Sequence, residues 1–174
     1  MTITTNVPPD DVRPVANHDG DTAPTRESAA SDGERLSHVA AEILREKLHS
    51  VVGAIGPAVE LWEDDPEHIH RLRVATRRAT AALKAFAPLL PPKRAKRLRR
   101  ELSRVRKAAG EARDLDVLAI RLKKRSGKLT PKMRSKALQV VARERRQAQK
   151  DVVAVQQRMK SVHLADRIEA LLQR

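Results

Sequence analysis

Four side chains able to hold an anion recur along one segment at spacings of three, four and seven residues: His70, Arg73, Arg77 and Lys84. Successive residues of an α-helix turn by about 100°, so in helical form these four lie within about 60° of one another. The chemistry of such a stripe is recognition of phosphate. Each arginine forks two N–H donors onto phosphate oxygens, lysine adds a compact charge, and imidazole is a proton-dependent donor. The surrounding stretch, His68–Phe86 ("HIHRLRVATRRATAALKAF"), holds four arginines, one lysine, two histidines and no carboxylate. Arg71 and Arg78 sit on the flank of the stripe. Leu72, Ala75, Ala79, Ala82, Leu83 and Phe86 make an opposite, apolar face. Taken alone, one basic stripe reads as an ordinary solvated face.

Two further segments change that reading. Residues 93–107 ("KRAKRLRRELSRVRK") carry nine bases and one acid, Glu101. Lys93, Arg97, Arg100, Arg104 and Lys107 lie away from their Leu98–Leu102–Val105 seam. A later helix repeats the scheme with Lys132, Lys136, Arg143, Arg146 and Lys150. Three such stripes make a field that suits a linear phosphate chain.

The charge totals agree. The 174-residue chain has a formal net charge of +14. Residues 1–33 hold six acids and two bases, so the remainder carries +18. Self-repulsion of that size favours an anionic partner. Trp62 and Phe86 are the only aromatic residues, too few for the stacking platforms on which readers of single strands rely. The chain has no cysteine, so neither disulfides nor thiolate metal sites are available. The N-terminus lacks the basic and apolar regions of a signal peptide. The apolar run "SVVGAIGPAVELW" is too short to span a bilayer. A cytoplasmic protein with no membrane partner is expected.

The elements that must position these residues read as all-α, an antiparallel bundle of four to five helices over 34–174 behind a disordered acidic tail at 1–33. Leu36, Val39, Ala40, Ile43, Leu44, Leu48, Val51 and Val52 give the first helix an apolar face, with Gly53–Pro57 expected to kink or loosen it. Asp65–Pro66–Glu67 starts the second helix, which stops at "PLLPP". A third starts near Pro92 and is expected to loosen at Gly110, with Asp114 capping a separate piece. "RSGKLTP" is a loop. Thr130–Pro131 opens a long fourth helix, and Leu164, Ile168, Leu171 and Leu172 belong to a short last one.

"HRLRVATRR" (His70–Arg78), followed some thirty residues later by "GEARDLDVL" (Gly110–Leu118), resembles the CHAD family of histidine-containing α-helical domains, over about residues 34–173. The resemblance implies a helical domain that binds inorganic polyphosphate, associates with polyphosphate granules and is not itself an enzyme. It places His70, Arg73, Arg77 and Arg78 on the family's basic motif, and Arg113, Asp114 and Asp116 on its RD-x-D element. The two aspartates are expected to orient arginines toward the ligand. Together with Lys84, Arg97, Arg100, Arg104, Arg143 and Arg146, these bases form the expected polyphosphate site. Thr80 and Ala109 depart from the family pattern, which favours a base and a leucine there. CHAD domains usually comprise two bundles around a basic cavity, and these residues suffice for one, so two copies are expected to pair.

Other chemistries are weaker. Asp114 and Asp116 with Glu111 are expected to make ion pairs and a cap rather than a metal site. His68 and His70 lack the i,i+4 spacing of a helical zinc site. The stripe holds no acid to act as a base, so neither catalytic residues nor a cofactor is expected. Arg145 falls near the apolar seam of its helix, either paired with Asp114 or Asp116 or extended to solvent. The rival readings are nonspecific binding of a nucleic-acid backbone and docking of an acidic protein.

Overall fold

The computed structural model describes residues 26–124 and 129–173, with side chains from residue 33. Five α-helices follow one another: α1 (Arg26–Glu60), α2 (Glu67–Ala85), α3 (Pro92–Lys124), α4 (Pro131–Ser161) and α5 (Leu164–Leu172), with a 3-10 turn at Ala87–Leu89. There is no strand among the described residues. The expected all-α bundle is therefore the observed one. α1 begins ahead of the boundary expected at Glu34, and the tail assigned to residues 1–33 otherwise lies outside the described residues, as do residues 125–128 of the "RSGKLTP" loop.

Consecutive helices pack side by side: α1 on α2, α2 on α3, α3 on α4, with α4 closing back onto α1. The four long elements make an up-down-up-down bundle. The core runs from Leu44, Leu48 and Val51 of α1 through Ile69, Leu72 and Leu83 of α2 to Leu98, Leu102 and Val105 of α3, Val152 of α4 and Ile168 of α5. α5 is fastened by an ion pair from Glu169 to Arg45 (3.2 Å) and a hydrogen bond between Glu169 and His49 (2.9 Å) of α1, and by a hydrogen bond from Arg94 of α3 to the Ala170 carbonyl.

The helix boundaries follow local chemistry. Asp65 Oδ1 accepts from the Glu67 N–H (2.8 Å), and Pro66 already has helical dihedrals, so the start of α2 is the expected one. Thr130 Oγ1 accepts from the Met133 N–H (3.2 Å) and Pro131 takes the first turn of α4.

Three expectations are corrected. α1 runs unbroken through Gly53 and Gly56, with Pro57 inside it. Leu36 and Val39 are about half exposed, because the packed core begins only at Leu44. α3 also passes unbroken through Gly110, so Asp114 lies within the helix and is not a cap. Gly110 is held there by buried Ala108, Ala109 and Ala112 on the same helix and by a residue of α2 described below.

Candidate functional site

Burial divides α2 into two faces. Ile69, Leu72, Ala75, Thr76, Ala79 and Leu83 are buried, whereas Arg73, Arg77 and Lys84 are exposed and His70 is half-buried. α3 lies antiparallel beside the stripe. A β-carbon at Gly110 would stand 3.1 Å from Arg73 Nη1. The Arg73 guanidinium therefore crosses the α3 backbone at a point that glycine leaves clear. Toward the start of α2, Arg113 Nη1 donates to the Pro66 carbonyl (3.3 Å).

These contacts set the register. In an antiparallel pair that aligns Arg73 with Gly110, Arg77 comes level with Arg106 and Lys84 with Arg99. Arg99, Arg106 and Arg113 are seven residues apart, so they drift by only about 20° per step and keep to the flank nearest Gly110. On that alignment helix geometry puts Arg73, Arg77 and Lys84 of α2 and Arg99, Arg106 and Arg113 of α3 in two rows along one seam, which together define the α2–α3 trough. Part-buried Thr80 lies between them, its hydroxyl donating to the Thr76 carbonyl (2.8 Å). None of these cations lies within ion-pair distance of a carboxylate among the described residues, although the charge of Arg113 is felt by Asp116; Glu169, Glu101, Glu144 and Asp116 pair with Arg45, Arg104, Arg143, Arg145 and Arg158 instead.

The expected residues are thus split rather than gathered into one trough. His70, Arg73, Arg77, Lys84 and Arg113 belong to the α2–α3 side. Arg78 lies about 100° round α2 from the stripe, on the flank toward α1. Arg100 faces solvent. Arg97 and Arg104 fall on the flank of α3 that meets α5 and α4, where Arg97 lines a cavity with Arg94 and Arg167 and Arg104 pairs with Glu101. Arg143 is held by Glu144 (3.0 Å), and Arg146 edges a groove beside Trp62. Asp114 is exposed, and its side chain makes no hydrogen bond or ion pair among the described residues. Arg99 and Arg106 were missed, although their seven-residue spacing with Arg113 signals a shared flank.

Asp116 serves a structural pair. Its Oδ1 accepts from Arg145 Nε at 2.7 Å. Arg145 is 5% exposed, stacks over Trp62 with its Cζ 4.5 Å from the ring centroid, and donates to Gln149 Oε1 (2.9 Å). Gln149 in turn donates to the Ala58 carbonyl of α1 (3.0 Å). This network joins α3, α4 and the end of α1. Burial pushes the Asp116 carboxyl above the ordinary range, against the pull of Arg145 and, more weakly, of Arg113.

Glu101, the lone acid of the basic segment, is also structural. It is 6% exposed and accepts from Arg158 at 2.8 and 3.0 Å and from Arg104 at 2.9 Å. The Arg158 hydrogen bonds, helped by the charges of both arginines, hold its carboxyl below the ordinary range despite burial. A depressed folded pKa gives stability that is complete above the unfolded value of about 4.3 and is lost as pH falls through the folded value. Glu101→Gln should cost about 1–2 kcal/mol near pH 7, since both arginines can turn to solvent. The deficit should shrink at about pH 3, where wild type loses the same charge. Urea denaturation at the two pH values checks this.

Gly110 yields a further expectation. Alanine within a helix is favoured over glycine by about 0.5–1 kcal/mol, and the atom it would press is the far end of a flexible side chain. Gly110→Ala should therefore leave the fold as stable or slightly more so, while moving the Arg73 guanidinium by only a few tenths of an ångström and changing any phosphate-chain affinity little. Thermal melting and phosphate-chain titration of one preparation test both halves.

Among the described residues no helix is long and apolar enough to cross a membrane, and no three His, Cys, Asp or Glu residues gather as metal ligands do. Fold and site define an all-helical bundle whose exposed cations line the seam between two neighbouring helices. The CHAD domain family model matches residues 35–174, and the chain belongs to that family. No curated protein and no solved structure matches it.

Proposed function

We propose that the protein binds inorganic polyphosphate along the α2–α3 trough, as a binding module rather than an enzyme, and associates through it with polyphosphate granules. The observation that carries this reading is a double row of cations with no ion-paired carboxylate among the described residues, with the Arg73 guanidinium reaching α3 at Gly110. Side chains in that state gain most from an anion that supplies many oxygens and little bulk. Membership of the CHAD family supports the same ligand. The aromatic residues favour it over a nucleic acid. Phe86 is half-buried against the core and one face of Trp62 is covered by Arg145, so neither offers the trough a stacking platform.

The second reading, binding to a nucleic-acid backbone, rests on the same charge. Competition separates the two. Protein loaded with labelled polyphosphate is challenged with equal phosphate equivalents of unlabelled polyphosphate, DNA or RNA, over a range of salt. Polyphosphate should displace the label well ahead of both nucleic acids, with affinity falling steeply as salt rises. Equal displacement by all three would overturn the proposal.

A further inference from the structure

α3 carries cations on two flanks, and only one borders α2. Relative to Gly110, Arg94, Arg97 and Glu101 lie about 140–200° round the helix. There Arg94, Arg97, Leu98 and Glu101 of α3 and Arg167 and Ala170 of α5 line one cavity. Its single carboxylate is already consumed by Arg158 and Arg104. Of the acids of α5, Glu169 is engaged by Arg45 and His49, and Asp166 is exposed, 3.6 Å from His163, and does not line the cavity. Arg97 and Arg167 have no carboxylate partner among the described residues, and Arg94 holds only the Ala170 carbonyl. Five guanidiniums thus gather around one acid at the junction of α3, α4 and α5. Arg94, Arg97 and Arg167 are exposed above a floor of Leu98 and Ala170, so an entering anion meets three guanidiniums that no carboxylate neutralises.

We propose that Arg94, Arg97 and Arg167 form a second anion-binding locus, separate from the α2–α3 trough, so that one protein molecule bridges two phosphate chains. The inference rests on the proposed function for its ligand, but its residues and geometry are independent of the trough. A helix is about 10 Å across, so a ligand of three phosphates cannot span both flanks. A long chain held at both flanks by successive proteins becomes cross-linked, which converts binding into condensation.

The test is calorimetric titration of the full chain with tripolyphosphate, followed by light scattering with long-chain polyphosphate. Wild type should bind two tripolyphosphates per chain and scatter strongly. Arg167→Glu, which leaves the Arg94–Ala170 hydrogen bond intact, should weaken one of the two events at least about tenfold and suppress scattering. Arg94→Ala/Arg167→Ala should abolish that event, with thermal melting confirming that α5 stays docked. One event per chain in wild type, or two events both indifferent to Arg167→Glu, would overturn the bridge. Should Arg73→Ala/Arg77→Ala remove an event while Arg167→Glu removes none, only the bridge fails. Should neither variant alter the titration, the polyphosphate reading fails with it.

Discussion

Arg73→Ala/Arg77→Ala should lower polyphosphate affinity by about 10²- to 10⁴-fold at low salt while leaving helix content unchanged. A hydrogen bond to a charged group contributes about 1.5–3 kcal/mol, and each 1.4 kcal/mol is a factor of ten. Both arginines are exposed and neither has a carboxylate partner among the described residues, so their removal breaks no native ion pair. Removing like charges spaced by four residues should if anything raise stability by a few tenths of a kcal/mol. The salt dependence should flatten as well, because fewer counterions are displaced. The control is Arg71→Ala/Arg78→Ala on the other flank of the same helix, for which a loss below about tenfold is expected. Equal losses from the two pairs would mean that the whole basic surface binds diffusely and that the trough has no privileged role. Equilibrium titration at two salt concentrations, with circular dichroism on each variant, decides it.

The largest effect on stability should come from Asp116→Ala. Arg145 is almost wholly buried, and the substitution would strand its guanidinium without a counter-charge, a change that costs about 3–5 kcal/mol. Asp116→Asn keeps an acceptor for Arg145 Nε and should cost less, about 1–2 kcal/mol. Replacing both partners with apolar residues of similar size should recover most of the loss, since desolvating the pair offsets much of its attraction. The carboxyl of Asp116 is raised, so its pH term has the opposite sign to that of Glu101. It favours the fold below the unfolded pKa of about 3.9 and is lost as pH rises through the folded value. Chemical denaturation of the three variants tests the ordering. If Asp116→Ala were as mild as Asp116→Asn, Arg145 must be able to escape to solvent.

Much of this could be read in the sequence because it is local. The helix starts at Asp65–Pro66 and Thr130–Pro131, the short α5 and the stripe on α2 all follow from capping chemistry and a 100° turn. What could not be read depends on neighbours. An apolar face does not say where its partners end, so Leu36 and Val39 looked like core and stand exposed. Gly110 looked like a helix breaker because the Arg73 guanidinium that packs 3.1 Å from the place of its missing β-carbon is distant in sequence. The cations of α3 could be placed away from its apolar seam, but not assigned to the flank facing α2 or the one facing α5. That ambiguity is why Arg97 and Arg104 were grouped with the α2 stripe while Arg99 and Arg106 were passed over. Arg145 was legible as an arginine near the seam of its helix, but whether it pairs with Asp114, pairs with Asp116 or reaches solvent depends on neighbours, and Asp116 is the partner.

The chain has one tryptophan and no tyrosine, and that single indole lies against a buried guanidinium where α1 gives way to α2. Ultraviolet emission from the molecule therefore originates almost entirely at one spot. Its colour and yield report whether the cation still covers the ring, independently of the far-ultraviolet signal of the helices. Unravelling that begins at the free end of the α3–α4 hairpin should register in the fluorescence before ellipticity falls. A cooperative collapse of the whole bundle should move both signals along one curve.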